Sequence, residues 1–211
     1  QHYASDINNN IIHVKDTSNL EVQKYYCPYC NNEMITKRGN VRQWHFAHKT
    51  DKCSYDKYLH SIAEIMIMDW FNKSQNVFLL MQHDLKCNTY DSCVYFNFMY
   101  CQAIEKRQYD LKKYYSKCIK EYGYKGFVAD LYCGNNTKPN EPIFIEIFVT
   151  HKCSEEKINS GIRIIELKIQ SEEDIINIIN FNKLEEGEKV KLYNFKPKEI
   201  IIDNLKQDFQ K

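Results

Sequence analysis

The chain is poor in the residues that mark repetitive or fibrous sequences: glycine occurs 6 times and proline 4 times in 211 residues. This scarcity excludes collagen-like and low-complexity character. No apolar run approaches the roughly 18 residues that a membrane helix needs, and the first residues lack the basic and apolar regions of a signal peptide. With a net charge of +1 the chain is no polycation, so any contact with nucleic acid must come from local clusters of charge.

The chain does have enough apolar material for a folded core, and an odd number of cysteines. Hydrophobic residues make up 43% of the sequence and aromatic residues 14%, which excludes intrinsic disorder. Cys occurs 9 times, and without a signal peptide this favours a reduced, cytoplasmic protein whose cysteines bind metal, with some buried singly. We expect no membrane association and leave the oligomeric state open, a homodimer included.

Two cysteines and two histidines stand close together near the N-terminus, in a segment with few long apolar runs. Cys27-x2-Cys30 is followed, after fourteen residues, by His45-x2-His48. A Cys-x2-Cys turn brings two thiolates to one ion, and two histidines three residues apart on a helix would lie on one face. We predict a structural zinc site with these four ligands, or with Cys53 in place of one histidine.

Cations and an aromatic side chain accompany the predicted zinc ligands. Lys37, Arg38, Arg42 and Trp44 all lie between the cysteine pair and the histidine pair. Cations interleaved with an aromatic ring are typical of a surface that binds the phosphates and bases of nucleic acid. A solvated charged face is the alternative.

A second group of cysteines follows further along the chain, at Cys87, Cys93 and Cys101. Their spacing is typical of no common zinc module, so a second zinc ion is left open. Free, singly buried thiols are the default for these residues and for the later cysteines.

Hydrophobic periodicity divides the rest of the chain into helices and strands. From Ser54 to Phe71 apolar residues recur every three to four positions, which predicts a long amphipathic helix. Strands are predicted at 77–81, 114–119, 127–133, 143–149, 162–169 and 189–195, and short helices from Ser154 to about Ser160 and from Ser171 to about Asn180. The order is that of an α/β domain with a mixed α-β-β-β-α-β core, in residues 54–211, after an N-terminal zinc-binding segment in residues 1–53. The cysteine-containing stretch at about 82–108 is interpreted as an insertion.

Two acidic residues stand alone in otherwise apolar strands. Asp130 lies in Phe-Val-Ala-Asp-Leu-Tyr-Cys and Glu146 in Ile-Phe-Ile-Glu-Ile-Phe-Val. Burying one carboxylate is costly unless it is paired, and two on adjacent strands would repel each other unless a cation lies between them. A divalent ion such as Mg²⁺ meets that need and would activate water against a phosphodiester. The alternative is a pair of solvent-facing acids on edge strands.

The order of these features resembles that of a known family. Cys27-x2-Cys30, His45-Phe-Ala-His48, Leu59-His60, Ala129-Asp130 and Ile145-Glu146-Ile are similar to the competence protein CoiA-like family, over roughly residues 25–170. That family couples an N-terminal zinc-binding segment to a nuclease domain of the PD-(D/E)XK, or restriction-endonuclease-like, superfamily. The resemblance implies structural zinc, catalytic Mg²⁺ or Mn²⁺, and a metal-dependent nuclease acting on DNA, with RNA not excluded.

The resemblance assigns roles to residues and also exposes a departure. Asp130 resembles the acid of the "PD" element, with Ala129 in place of proline, and Glu146 resembles the first residue of (D/E)XK. The lysine position of that element holds Phe148, which cannot orient the attacking water. Lys157, on the following short helix, is the expected substitute.

Further side chains complete the expected catalytic set. Glu121 and His151 are candidates for an additional acid and for a general base or phosphate ligand, and His60 and Glu64 would close the site from the long helix. Two other functions stay open: a catalytically inactive DNA-binding module that has lost the motif lysine, and a structural zinc protein that scaffolds a larger complex.

Overall fold

The computed structural model describes residues 1–17, 24–50, 53–87, 103–196 and 200–202. Cys93 and Cys101 lie outside these ranges, so the second zinc ion stays a hypothesis. The helices are α1 (Tyr55–Lys73), α2 (Glu155–Ile158) and α3 (Glu172–Phe181). In the parts of the chain described, no helix is both long enough and apolar enough to cross a membrane.

The strands are short, apart from one hairpin. In chain order they are β1 (Tyr3–Ser5), β2 (Ile11–His13), β3 (Tyr25–Tyr26), β4 (Glu33–Lys37), β5 (His45–His48), β6 (Phe78–Cys87), β7 (Ala103–Asp110), β8 (Cys118–Tyr124), β9 (Phe127–Cys133), β10 (Ile143–Phe148), β11 (Arg163–Lys168), β12 (Lys183–Glu185), β13 (Val190–Tyr193) and β14 (Ile200–Ile202).

These strands form three sheets. The N-terminal sheet has the order β2-β1-β3-β4-β5 and is antiparallel throughout. The central sheet has the order β13-β11-β10-β9-β8, in which only β10 and β11 run parallel. In the third sheet β6 pairs antiparallel with β7 and parallel with β12 and β14. The predicted mixed α/β class is confirmed at this level.

Most of the predicted elements of the central region are present. Helix α1 begins after Ser54, whose hydroxyl accepts the amide of Lys57 at 3.3 Å and so caps the helix. Strand β9 covers the predicted residues, and β10 and β11 each end within two residues of prediction. The observed order is α1, β8, β9, β10, α2 and β11, with the hairpin β6–β7 between α1 and β8.

One prediction in this region was wrong. The strand expected at 114–119 is β8, which begins at Cys118, and it turns back to β9 at Lys125 and Gly126, which both have positive φ. Because β8 is a mostly exposed edge strand, its buried face left too weak an apolar signal to locate it. Within the stretch interpreted as an insertion, residues up to Cys87 extend β6 and residues from Ala103 form β7.

One hydrophobic core joins the N-terminal segment to the rest of the chain. Phe46 of the N-terminal sheet, Ile62 of α1 and Ile145 of β10 belong to the same buried cluster. Helix α1 packs against β8, β9, β10 and α3. Cys118 and Cys133, paired in register between β8 and β9, are free and buried in this core. The boundary at residue 53 therefore separates two sheets but not two cores.

Candidate functional site

Three cysteines and one histidine converge at the end of the N-terminal segment. The ligand atoms of Cys27, Cys30, His48 and Cys53 lie within 4.8 Å of one another. Cys27 Sγ is 3.6 Å from Cys53 Sγ, and His48 Nε2 is 3.2 Å from Cys30 Sγ and 3.6 Å from Cys53 Sγ. Tetrahedral zinc, with Zn–S near 2.3 Å and Zn–N near 2.0 Å, would set such pairs about 3.5–3.8 Å apart. This Cys3His cluster could hold zinc.

The backbone around the first two cysteines is folded into a tight turn. The amide of Asn31 donates to the carbonyl oxygen of Cys27 at 2.9 Å, and the amide of Cys27 donates to the carbonyl of Asn32 at 2.9 Å. Asn31 adopts φ 56°, the left-handed conformation that asparagine tolerates well. The turn thereby places both sulfurs on one side, toward His48 at the end of β5.

His45 lies outside the cluster, and the expectation that it shares a helical face with His48 is wrong. Residues His45–His48 form a strand, in which side chains three positions apart point to opposite faces. The Nδ1 atom of His45 instead lies 2.9 Å from the carbonyl oxygen of Gln43. Cys53, the alternative ligand, takes its place just before α1.

The surroundings of Cys27 and Cys53 disfavour the thiolate form in the absence of a cation. Burial raises the pKa of Cys27, and burial together with the neighbouring thiols of Cys27 and Cys30 raises the pKa of Cys53 to about 12. Thiolates in this position need a cation, and zinc supplies one by binding the deprotonated sulfurs. The donor set therefore fits zinc.

The predicted catalytic residues line a single cavity of about 700 Å³. The cavity, called the catalytic cavity after the role predicted from the sequence, includes all five of them: Asp130, Glu146, Lys157, Glu121 and His151. Residues of α1, of β8 and of the turn between Cys27 and Cys30 complete its wall. Residues that are far apart in the sequence, and that were chosen one by one from its pattern, thus share one surface.

Glu146 and Lys157 form the innermost ion pair of the cavity. Lys157 Nζ lies 2.8 Å from Glu146 Oε2 and also donates to the carbonyl oxygen of Val128 at 2.8 Å. Glu146 Oε1 is buried and has no hydrogen-bond partner among the residues that the structure describes. Burial, followed by the charge of Asp130, raises the pKa of Glu146 to about 7. One carboxylate oxygen is therefore satisfied and the other is left to an incoming group.

Asp130 is held from two sides. The amide of Ile147 donates to its Oδ2 at 2.8 Å, and Nε2 of His60 lies 3.4 Å from the same oxygen. Burial opposes ionisation, but these partners hold the pKa of Asp130 below its usual range. Hydrogen bonds to Asp130 and Glu64 raise the pKa of His60 to about 10.

His60, Glu64 and Asp130 form a second group with metal-ligand chemistry. Their ligand atoms lie within 4.8 Å of one another. Glu64 is buried and forms an ion pair with Lys120, in which Lys120 Nζ is 2.9 Å from Glu64 Oε2. Sequence reasoning missed Lys120 because it lies on β8, the strand that was placed too early in the chain.

The remaining acids of the cavity differ in burial. Glu121 has a positive φ of 49° and an exposed side chain near Lys120. Glu166, on β11, is buried in register with Glu146, and it accepts hydrogen bonds from the amide of Cys153 at 2.7 Å and from the Tyr193 hydroxyl at 3.3 Å. Sequence reasoning missed Glu166, although a lone acid in an apolar strand was the signal that found Asp130.

The three cations predicted to contact nucleic acid share one hollow, whereas the predicted aromatic residue lines a different cavity. Lys37, Arg38 and Arg42 all line a shallow hollow formed by the loop between β4 and β5. Arg38 donates to Thr17 and lies 5.4 Å from the ring of Trp44. Trp44 itself faces another cavity. Arg38 therefore supports the fold of the loop, and the DNA-binding role of the four residues stays a prediction.

Comparison with known families agrees with the N-terminal geometry. Residues 10–56 match the family described as "Competence protein CoiA, N-terminal domain". No curated protein and no solved structure matches the chain. The matched range holds all four residues of the Cys3His cluster and stops before Asp130 and Glu146. Residues 10–56 of the chain are therefore similar to the N-terminal domain of the competence protein CoiA family.

Proposed function

We propose that the protein is a metal-dependent nuclease of the PD-(D/E)XK type that hydrolyses DNA phosphodiesters, with RNA not excluded. The observation that carries this proposal is the unpartnered, buried Oε1 of Glu146, next to Asp130 and facing the cavity that Lys157 also lines. A buried carboxylate oxygen without a donor is costly, and a divalent cation would satisfy it.

The arrangement of elements supports the same reading. Asp130 on β9 and Glu146 on β10 lie on adjacent antiparallel strands. The last residues paired in the register are Ile145 and Leu131, which are the sequence neighbours of Glu146 and Asp130. The order α1, β8, β9, β10, α2 and β11 is that of the restriction-endonuclease-like core proposed from the sequence. The hairpin β6–β7 is then an insertion into that core.

Mg²⁺ or Mn²⁺ fits the donor set of the cavity. Asp130 and Glu146 would hold the ion, and His60 and Glu64 offer further ligand atoms on the side of α1. A metal ion in such a site supplies an activated water and neutralises charge on the phosphate. The imidazole ligand favours Mn²⁺ over Mg²⁺, because Mg²⁺ prefers oxygen donors.

Lys157 takes the place that Phe148 leaves empty in the motif. Its ammonium is fixed by Glu146 and the carbonyl of Val128, so it lies beside the proposed metal site without having to move. From there it can orient the attacking water and stabilise the negative charge that develops on the phosphate. Lys120 and His151, elsewhere on the wall, can contact the neighbouring phosphates.

The test is cleavage of plasmid and single-stranded DNA by the zinc-loaded protein with Mg²⁺ or Mn²⁺. Asp130→Ala and Lys157→Ala should each lower the rate by roughly 100-fold or more, while Lys73→Ala, on the exposed end of α1, should leave it unchanged. Zinc content and the melting curve should match the parent in all three. If Lys157→Ala cleaved normally, the role given to that lysine would be wrong.

Phe148 favours one other function, a nuclease fold that binds DNA without cutting it. Measurable DNA binding with no cleavage by the parent protein on any substrate and with either metal would support that function. It would also overturn the proposal of a nuclease.

A further inference from the structure

Tyr29 lies between two zinc-cluster residues and also on the wall of the catalytic cavity. It stands in the turn that joins Cys27 to Cys30, and with Pro28 it lines the same cavity as Asp130. The turn is anchored to α1, because the hydroxyl of Ser61 donates to the carbonyl oxygen of Pro28 at 3.0 Å. A side chain in this position is held at a fixed place relative to the acids.

The ring of Tyr29 is partly exposed and does not belong to the hydrophobic core. It is 47% exposed, one of the larger exposed fractions among the aromatic residues described. The ammonium of Lys57 lies 5.5 Å from the ring centre. Lys57, His60 and Glu64 recur at three- and four-residue spacing on α1, so the cation and the proposed metal ligands share one face of that helix. An aromatic face, a cation and an acidic centre thus follow one another along the cavity wall.

This sequence of groups matches the chemistry of one unpaired nucleotide. A base stacks on an aromatic ring, its phosphate is attracted by a nearby ammonium, and the next phosphate can enter the acidic centre once a metal ion is bound. Inside a duplex both faces of a base are covered by its neighbours, so a side chain can stack on such a base only when it leaves the stack.

We infer that Tyr29 is the stacking residue for an unpaired base of single-stranded DNA next to the phosphate in the catalytic cavity. The inference rests on the nuclease function proposed above and specifies its substrate. The zinc cluster then has a task in recognition, since it fixes the turn that presents the ring.

Binding of a fluorescein-labelled oligothymidine 20-mer, followed by anisotropy, tests the inference. The zinc-loaded Asp130→Asn variant serves as the parent, so that no substrate is consumed. Tyr29→Ala and Tyr29→Leu should weaken binding by roughly 5- to 150-fold, the equivalent of one stacked base, while Tyr29→Phe should stay within about twofold of the parent because it keeps the ring. Tyr114→Ala removes a similarly exposed ring, 52% exposed, that is not on the cavity wall, and should change nothing.

A blunt duplex provides the second arm, and Tyr29→Ala should leave its binding unaltered. Equal binding of the single strand by Tyr29→Leu and the parent, with zinc content unchanged, would overturn the inference. An equal loss on the single strand and the duplex would also overturn it. If the wild type cleaves DNA and the Tyr29 variants bind the single strand normally, the proposed nuclease function stands and only the role given to Tyr29 is wrong. If binding depends on Tyr29 but no DNA is cleaved, the stacking role of Tyr29 stands and the proposed nuclease function is wrong.

Discussion

The carboxyl group of Glu146 lies in the interior, against Asp130 and Lys157. Its pKa is raised from 4.5 to about 7, first by burial and then by the charge of Asp130, although Lys157 opposes the shift. A raised folded-state pKa means that the stability contributed by the protonated form is fully present below about pH 4.5 and is lost as the pH rises through 7. At neutral and alkaline pH the metal-free protein therefore carries a destabilising charge.

Glu146→Gln should stabilise the metal-free protein above pH 7. The amide removes the charge and keeps a hydrogen-bond acceptor for Lys157, so the gain at pH 8 should approach the roughly 3 kcal/mol that a shift of this size represents. At pH 4 there should be no gain, since the parent is already protonated. Urea unfolding at both pH values measures the effect. Glu185→Gln is the control of opposite sign, because Lys106 and Lys183 lower the pKa of Glu185 to about 2. A gain at pH 4 equal to that at pH 8 would contradict the assignment.

At the residue scale, functional residues are easiest to predict where a charged side chain stands in an apolar stretch that should be buried. Asp130 and Glu146 were identifiable because a lone acid in an apolar strand needs a partner, and the structure puts them in one cavity. The same signal was present at Glu166. Lys120 could not be found in this way, because lysine is an ordinary residue on an exposed edge strand and its presence there needs no explanation.

Whether residues 45–48 form a helix or a strand decides which histidine joins the Cys3His cluster. Two histidines three residues apart share a face on a helix and occupy opposite faces on a strand. The segment His45–His48 pairs with β4 over four residues, so only one of its histidines can face Cys30. Four residues are too few for a hydrophobic period to separate helix from strand. The sequence therefore predicts the candidate residues of the Cys3His cluster, but it does not decide between His45 and Cys53.

Replacing Cys53 should cost the zinc ion, whereas replacing His45 should not. Cys53→Ala leaves three ligands and an uncompensated cluster, so zinc should be lost on mild chelation and the melting temperature should fall by several degrees or more. His45→Ala should keep one zinc per chain and a parent-like melting curve. Elemental analysis after dialysis, together with circular dichroism melting, distinguishes the two variants. Zinc loss in His45→Ala with retention in Cys53→Ala would reverse the assignment.

The elements that carry the site were predicted better than those that surround it. Strands β9 and β10 are central and apolar, and their bounds follow from their side chains alone. The hairpin β6–β7 and the strands of the N-terminal sheet are held by pairing with distant residues, which a local pattern cannot contain.

At the scale of the whole molecule, the N-terminal sheet, α1 and α3 are joined by one buried carboxylate. Glu172, at the start of α3, accepts the amide of His2 at 2.8 Å and the hydroxyl of Tyr58 at 2.5 Å. The Tyr58 hydroxyl also accepts the amide of Tyr3 at 3.2 Å. Tyr58 is fully buried in the common core. The catalytic cavity is lined by Tyr29 from the N-terminal segment, by His60 from α1 and by Asp130 from β9.

Because core and network are shared, the described parts of the molecule should unfold in a single transition. Tyr58→Phe removes one hydroxyl and leaves a buried carboxylate oxygen and the amide of Tyr3 short of a partner, which should cost about 1.5–3 kcal/mol. Tyr114→Phe, at an exposed ring, should cost less than about 0.5 kcal/mol. Zinc-loaded protein is unfolded in urea and followed both by tryptophan fluorescence, which reports on Trp44 and Trp70, and by far-ultraviolet circular dichroism. The two curves should coincide in the parent and shift together in Tyr58→Phe. Separate midpoints in the parent would mean that the N-terminal segment folds on its own and that the boundary at residue 53 divides two independent domains.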